Sequence, residues 1–168
     1  MNWRETMRVL MTAAACLGWV ATGWAAGSPQ AWAGRVTHVS DGDTLWVQPA
    51  RGGLPRKIRL DGVDAPEICQ TYGVAARDRL AQQVTGRSVR VMPRRHDDYG
   101  RLLARVSLQG QDVGRWMVRH GHAWSHRYRH QPGPYAVLEA QARAQHLGLW
   151  QFRAEMPRQF RQRHGSCY

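Results

Sequence analysis

Lysine is nearly missing from this chain of 168 residues: Lys57 is the only one, so 23 of the 24 basic side chains are arginine. Acidic residues are scarce too, 12 in all, which leaves a formal charge of +12. Such an imbalance disfavours a basic or neutral partner and points to a polyanion, nucleic acid first, and the planar guanidinium fork suits phosphate. A codon bias would give the same arginine excess, so charge supports this reading without carrying it. Long apolar runs are lacking as well. The longest, residues 9–21, is too short for a membrane span, and nothing in the length suggests a second domain.

That run follows Arg4 and Arg8, and Ala31-Trp32-Ala33 has the small-x-small form of a cleavage site. Residues 1–33 are therefore read as a signal peptide and the mature chain as starting at Gly34, with a cut near Ala26 as the alternative. Cys16 follows three alanines, but with no Leu or Val three residues before it lipid attachment is disfavoured. Export, to a periplasm or beyond, would leave Cys69 and Cys167 in an oxidising compartment. There an even pair is a disulfide candidate, tying the C-terminal tail to the segment after Glu67; two unrelated free thiols are the alternative.

The remaining chain centres on Arg56-Lys57-Ile58-Arg59-Leu60-Asp61-Gly62-Val63-Asp64-Ala65-Pro66-Glu67. Ile58 and Leu60 alternate with charged neighbours, so a strand there would bury one face and turn Arg59 outward. Gly62 and Pro66 break the pattern, which leaves Asp64, Ala65 and Glu67 on the exit from the strand. Before it, residues 34–39 and 44–47 read as strands joined by Ser40-Asp41-Gly42-Asp43, in which Asp41 and Gly42 supply the turn and Asp43 is an extra carboxylate. After it, residues 73–84 read as a helix with Val74, Ala81 and Val84 inside. Residues 87–92, ended by Pro93, and residues 101–108 read as two more strands. Asp112 caps a second helix, and a third opens at Gly133-Pro134 and buries Val137, Ala140, Ala144 and Leu147. Residues 153–168 form a basic tail without clear periodicity, either a mobile phosphate-binding arm or a segment pinned by Cys167.

Five short strands and three helices in this order suggest an α+β domain over residues 34–152, built on a five-stranded Greek-key barrel of the oligonucleotide-binding kind. Ser40-Asp41-Gly42-Asp43-Thr44, Ile58-Arg59-Leu60 through Val63-Asp64-Ala65-Pro66-Glu67, Asp98-Tyr99-Gly100-Arg101 and Gly148-Leu149-Trp150 together resemble the staphylococcal nuclease family. The resemblance implies a calcium ion held by Asp43, Asp64 and the carbonyl of Ala65, with Glu67 reached through water. It also implies that Arg59 and Arg101 clamp a scissile phosphate while Glu67 positions or deprotonates the attacking water. The products would be 3′-phosphate ends of DNA and/or RNA, made by a monomeric exported endonuclease. A donor set of carboxylates and a carbonyl independently suits a hard cation such as calcium better than zinc.

Where the family stacks tyrosines on substrate, this chain has residues 122–129, so Trp124 and Tyr128 are candidate stacking surfaces, with Arg127 and Arg129 on the backbone. Core packing for Trp124 is the equal alternative. His122, His126 and His130 recur every four residues, but flanking glycines and prolines disfavour a zinc-binding helix. The rival to an enzyme is a non-catalytic nucleic-acid-binding barrel, which has no use for Asp43, Asp64, Glu67, Arg59 and Arg101 together.

Overall fold

The computed structural model describes residues 30–128, 131–165 and 167. Apart from residues 30–33, the expected signal peptide lies outside these, as do Arg129 and His130. Alternating apolar residues give five strands one buried face each, and covering those faces together curls the sheet until its ends meet. β1 (Trp32–Asp41), β2 (Thr44–Pro49) and β3 (Arg56–Leu60) form an antiparallel meander. After β3 come a two-residue strand, β4 (Val63–Asp64), and the helix α1 (Gly73–Val84). β5 (Ser88–His96) then returns beside β1, and β6 (Leu102–Leu108) beside β5. β6 also runs parallel to β3, with Arg59 opposite Leu103, and this pairing closes the barrel.

Val36, Leu45, Val47, Ile58, Leu60, Val91, Ala104 and Val106 fill the interior. Each large apolar side chain so buried stabilises the fold by about 1.5–3 kcal/mol. The expected strand ending at Pro93 instead continues to His96, because a register shift between Pro93 and Arg95 absorbs a proline that cannot donate to the ladder. β1 likewise starts earlier than expected. Trp32 and Ala33 already pair with Val91 and Arg90, so a chain beginning at Gly34 would lose the first two rungs of this ladder.

β7 (Gln111–Asp112) leads into α2 (Val113–Arg119), where the Asp112 carboxylate accepts from the Arg115 N–H at 2.9 Å. β8 (Trp124–Ser125) pairs with β4 and so ties this region back to the exit of β3. α3 (Ala136–Ala144) follows, then a 3-10 turn (Gly148–Gln151). The helix faces differ from expectation. α1 turns Gly73, Ala76, Leu80 and Val84 inward while Val74 is half exposed. α3 buries Glu139 and Ala142 beside Tyr135 and leaves Val137, Ala140 and Ala144 outside. Here a buried carboxylate decides the orientation: Glu139 accepts from the Ser125 N–H at 2.9 Å and pairs with Arg127 and Arg143.

A fourth helix, α4 (Pro157–His164), occupies the basic tail, and the Cys69–Cys167 disulfide joins the segment beyond it to the loop after Glu67. Among the described residues no helix is long and apolar enough to cross a membrane.

Candidate active site

The β1–β2 hairpin closes on Gly42 and Asp43, with Asp41 paired to Thr44. Glycine is required at 42 by proximity: a Cβ there would meet those of Ala65 and Ala76 at 2.6 and 3.0 Å. The hairpin tip is thereby packed against the exit of β3. Asp43 takes up that contact, its Oδ2 accepting from the Ala65 N–H at 3.3 Å and its Oδ1 from the Thr44 hydroxyl at 2.9 Å.

Arg59 projects from β3 into the same space. Its Nη2 lies 3.0 Å from Asp43 and 2.9 Å from Asp64, and its Nη1 donates to the Val63 carbonyl at 3.1 Å. Burial favours loss of the guanidinium proton, but the carboxylates of Asp43 and Asp64 outweigh it and hold the charge more firmly than usual.

Acids outnumber that cation. Burial, reinforced by the Asp43 carboxylate, raises Asp41 to about 7. Burial and the same neighbour raise Asp64 to about 6, against the opposing pull of Arg59 and Arg161. Three carboxyl groups are thus crowded around one guanidinium, and their donors are oxygen alone, the setting that a hard divalent cation relieves. Among the described residues no three His, Cys, Asp or Glu side chains form a ready-made ligand set, so an ion held there would also draw on carbonyl or water oxygen.

Arg101 arrives from the loop between β5 and β6. Asp97 accepts from its backbone N–H at 2.8 Å and from its Nε at 2.7 Å, and the Tyr99 ring lies 5.4 Å beneath its guanidinium. Burial works against the Asp97 charge, but these bonds from Arg101 prevail and hold its carboxyl below the usual range. The guanidinium is therefore oriented before any ligand enters.

Glu67 sits on a turn whose N–H donates to Gln70 Oε1 at 3.1 Å, and Gly73 opens α1 directly against it, where a Cβ would overlap the Glu67 carbonyl oxygen. Its side chain pairs with Arg161 of α4. Asp43, Arg59, Ala65, Glu67 and Arg101 all line one cleft of about 580 Å³, and Asp64 reaches it through Arg59.

The structure separates the remaining candidates. Trp124 is 3 % exposed and packs edge-on against Trp150 at 5.6 Å, which assigns it to the core and withholds it from substrate. Arg127 pairs with Glu139 at 3.4 Å, and Tyr128 is exposed; neither lines the cleft. His122 bonds Tyr72 at 2.9 Å in a separate cavity with Trp116 and His120.

Asp41, Lys57, Tyr99 and Arg161 line the cleft without having been singled out. Asp41 hid behind its turn role, although two acids flanking one glycine were a visible signal. Arg161 shared only the general signal of a basic, phosphate-binding tail, in which nothing local distinguishes it from the other arginines.

The family model described as staphylococcal nuclease homologue matches residues 57–152. An Escherichia coli protein named "Uncharacterized endonuclease" is 40% identical over 118 residues, covering 70% of this chain and 76% of its own. A Shigella flexneri "Micrococcal nuclease" is 36% identical over 137 residues, 73% of this chain and 78% of its own. A Haemophilus influenzae "Uncharacterized endonuclease" is 38% identical over 117 residues, 69% and 65%. A closed barrel with acids and arginines at one mouth, in this company, is a nuclease, a hydrolase by class. The chain belongs to the staphylococcal nuclease family.

Proposed function

We propose that this chain is a calcium-dependent endonuclease that hydrolyses phosphodiester bonds of DNA and/or RNA and leaves 3′-phosphate ends. The observation that carries this reading is that Asp43, Arg59, Glu67 and Arg101 line one cleft although they come from three separate stretches of chain. Asp43, Asp64 and the carbonyl of Ala65 would hold the cation, whose role when bound is to offset charge on the phosphate oxygens. A phosphodiester anion repels nucleophiles, and its five-coordinate transition state is more negative still. Arg59 and Arg101, already oriented by Asp43, Asp64 and Asp97, stabilise that charge without reorganising. Glu67 orients the attacking water and takes its proton. The P–O5′ bond breaks, the phosphate stays on the 3′ oxygen, the departing 5′ oxygen takes a proton from solvent water, and Glu67 later returns its proton to solvent.

Export of a monomer with no lasting membrane association belongs to the same reading. It is supported by a disulfide that a reducing cytosol would not maintain. Because residues 32 and 33 belong to β1, this reading places signal cleavage near Ala26 rather than after Ala33.

Single- and double-stranded DNA and RNA incubated with the protein in calcium, then in chelator, test the proposal. Cutting that ceases in chelator is the expected result, with phosphate on the 3′ side of each new end. Undiminished cutting in chelator contradicts the cation assignment, and binding without cutting contradicts the enzyme.

A further inference from the structure

The family match ends at residue 152, yet the chain beyond it reaches the cleft. α4 is basic along its length, PRQFRQRH, with Pro157 as its only buried residue. Hydrophobic packing alone is a weak anchor for it. Three links hold this segment to the turn that bears Glu67: the Cys69–Cys167 disulfide, a bond from the Gln70 side-chain amide to the Glu155 carbonyl, and the pair between Arg161 Nη1 and Glu67 Oε1. Cys69 and Gln70 follow Glu67 by two and three residues, so the tether acts at the edge of the cleft.

Arg161 thereby becomes a wall of the space that holds Asp43, Arg59, Glu67 and Arg101, and its charge is felt at Asp64. A structural strut for Glu67 would be buried, whereas the Arg161 side chain is 42% exposed. Ion pairs with so exposed a cation are weak and exchange readily for a better partner. Phosphate is such a partner, because it accepts two parallel bonds from the guanidinium fork.

We infer that Arg161, delivered by the disulfide-tethered α4, is a third phosphate-binding arginine that holds the substrate backbone at a phosphate neighbouring the scissile one. Entry of the substrate draws the guanidinium from Glu67 to that phosphate, which releases the Glu67 carboxylate toward water. This rests on the proposed function only in taking the cleft as the place where the nucleic-acid backbone lies.

The test is the affinity for a fluorescent single-stranded oligonucleotide measured in chelator, where no cleavage is needed for the readout. Arg161→Ala is expected to raise Kd about tenfold and to lower the slope of log affinity against log salt by about 0.7. Arg161→Lys should recover part of the loss, since it keeps the charge without the fork. The double variant Cys69→Ser, Cys167→Ser should reproduce the Arg161→Ala loss by releasing the helix. With calcium present, the same rise should appear in KM rather than as a fall in kcat.

Unchanged Kd and salt slope in Arg161→Ala overturn the inference. So does a higher kcat at constant KM, which would make Arg161 only a brake on Glu67. If the wild type binds but does not cut, the nuclease reading fails while the Kd ratio still reads Arg161.

Discussion

Arg59 and Arg101 face the same cleft but are held differently, and their substitution should separate catalysis from stability. Removing either guanidinium is expected to slow cleavage by about 100-fold to 1000-fold, the typical cost of one oriented transition-state contact. Arg59 is also the counter-ion of two buried acids. Arg59→Ala should therefore lose on the order of 3 kcal/mol of stability as well, read by urea unfolding without calcium. Among the described residues Arg101 forms its ion pair with Asp97 of its own loop, so Arg101→Ala should unfold close to the wild type.

His122 sets a separate pH dependence. Burial, helped by His120 and Arg79, depresses it from 6.5 to about 4, so it stays neutral in the fold while the unfolded chain takes up a proton. Stability is then full above about pH 6.5 and falls by up to about 3 kcal/mol as pH drops toward 4. His122→Phe should flatten the unfolding free energy across that window.

The β1–β2 hairpin, the exit of β3, the Asp97–Arg101 loop and α4 each bring one part of the site. The first three were legible. The Asp-Gly-Asp turn, the alternation of Ile58 and Leu60 around Arg59, and Asp98-Tyr99-Gly100-Arg101 are short-range signals whose geometry is set within a few residues. Limits of helices were legible for the same reason: Gly73 to Val84 and the Asp112 cap are local chemistry. Helix faces were less so. Val137 and Val74 look like core residues by type, yet Glu139 goes inside because Ser125, Arg127 and Arg143 satisfy it from other elements, and no window of sequence contains that information.

α4 shows the limit most clearly. Its order comes from partners far back in the sequence, Cys69, Gln70 and Glu67, with the two cysteines 98 positions apart. Closing so long a loop restricts the unfolded chain by an amount equivalent to about 4–5 kcal/mol, usually an upper bound. Cys167→Ser should lower Tm measurably, and proteolysis of the variant should begin within α4. Unaltered Tm and an intact C-terminus would show that the bridge holds nothing in place. Gly73 offers a second check at the other side of the Glu67 turn: Gly73→Ala should impair cleavage by displacing the carboxylate, although the residue touches no substrate.

The molecule as a whole combines a barrel closed at the β3–β6 seam with a formal charge of +12 over the full sequence. The charge draws polyanions from a distance and is screened by salt, so it aids encounter without choosing the bond to be cut. Inside the cleft the two signs are interleaved: Asp41, Asp43 and Asp64 crowd around Arg59, while Lys57, Arg101 and Arg161 line the rest. A ligand that binds only the folded state stabilises it, and calcium at about 100 times its Kd should add about 2.7 kcal/mol, raising Tm by roughly 5–10 °C. Asp43→Asn should abolish the rise. Equal melting with calcium and with chelator would remove the cation from the account.

The most direct measurement is the initial rate at which wild type and Glu67→Gln cut a defined single-stranded oligonucleotide in calcium, with circular dichroism showing both folded. Loss of the carboxylate proposed to take the proton from water should reduce the rate by about 100-fold or more while oligonucleotide binding persists. A Glu67→Gln protein that cuts as fast as the wild type would contradict the claim that this cleft is where the phosphodiester bond is broken.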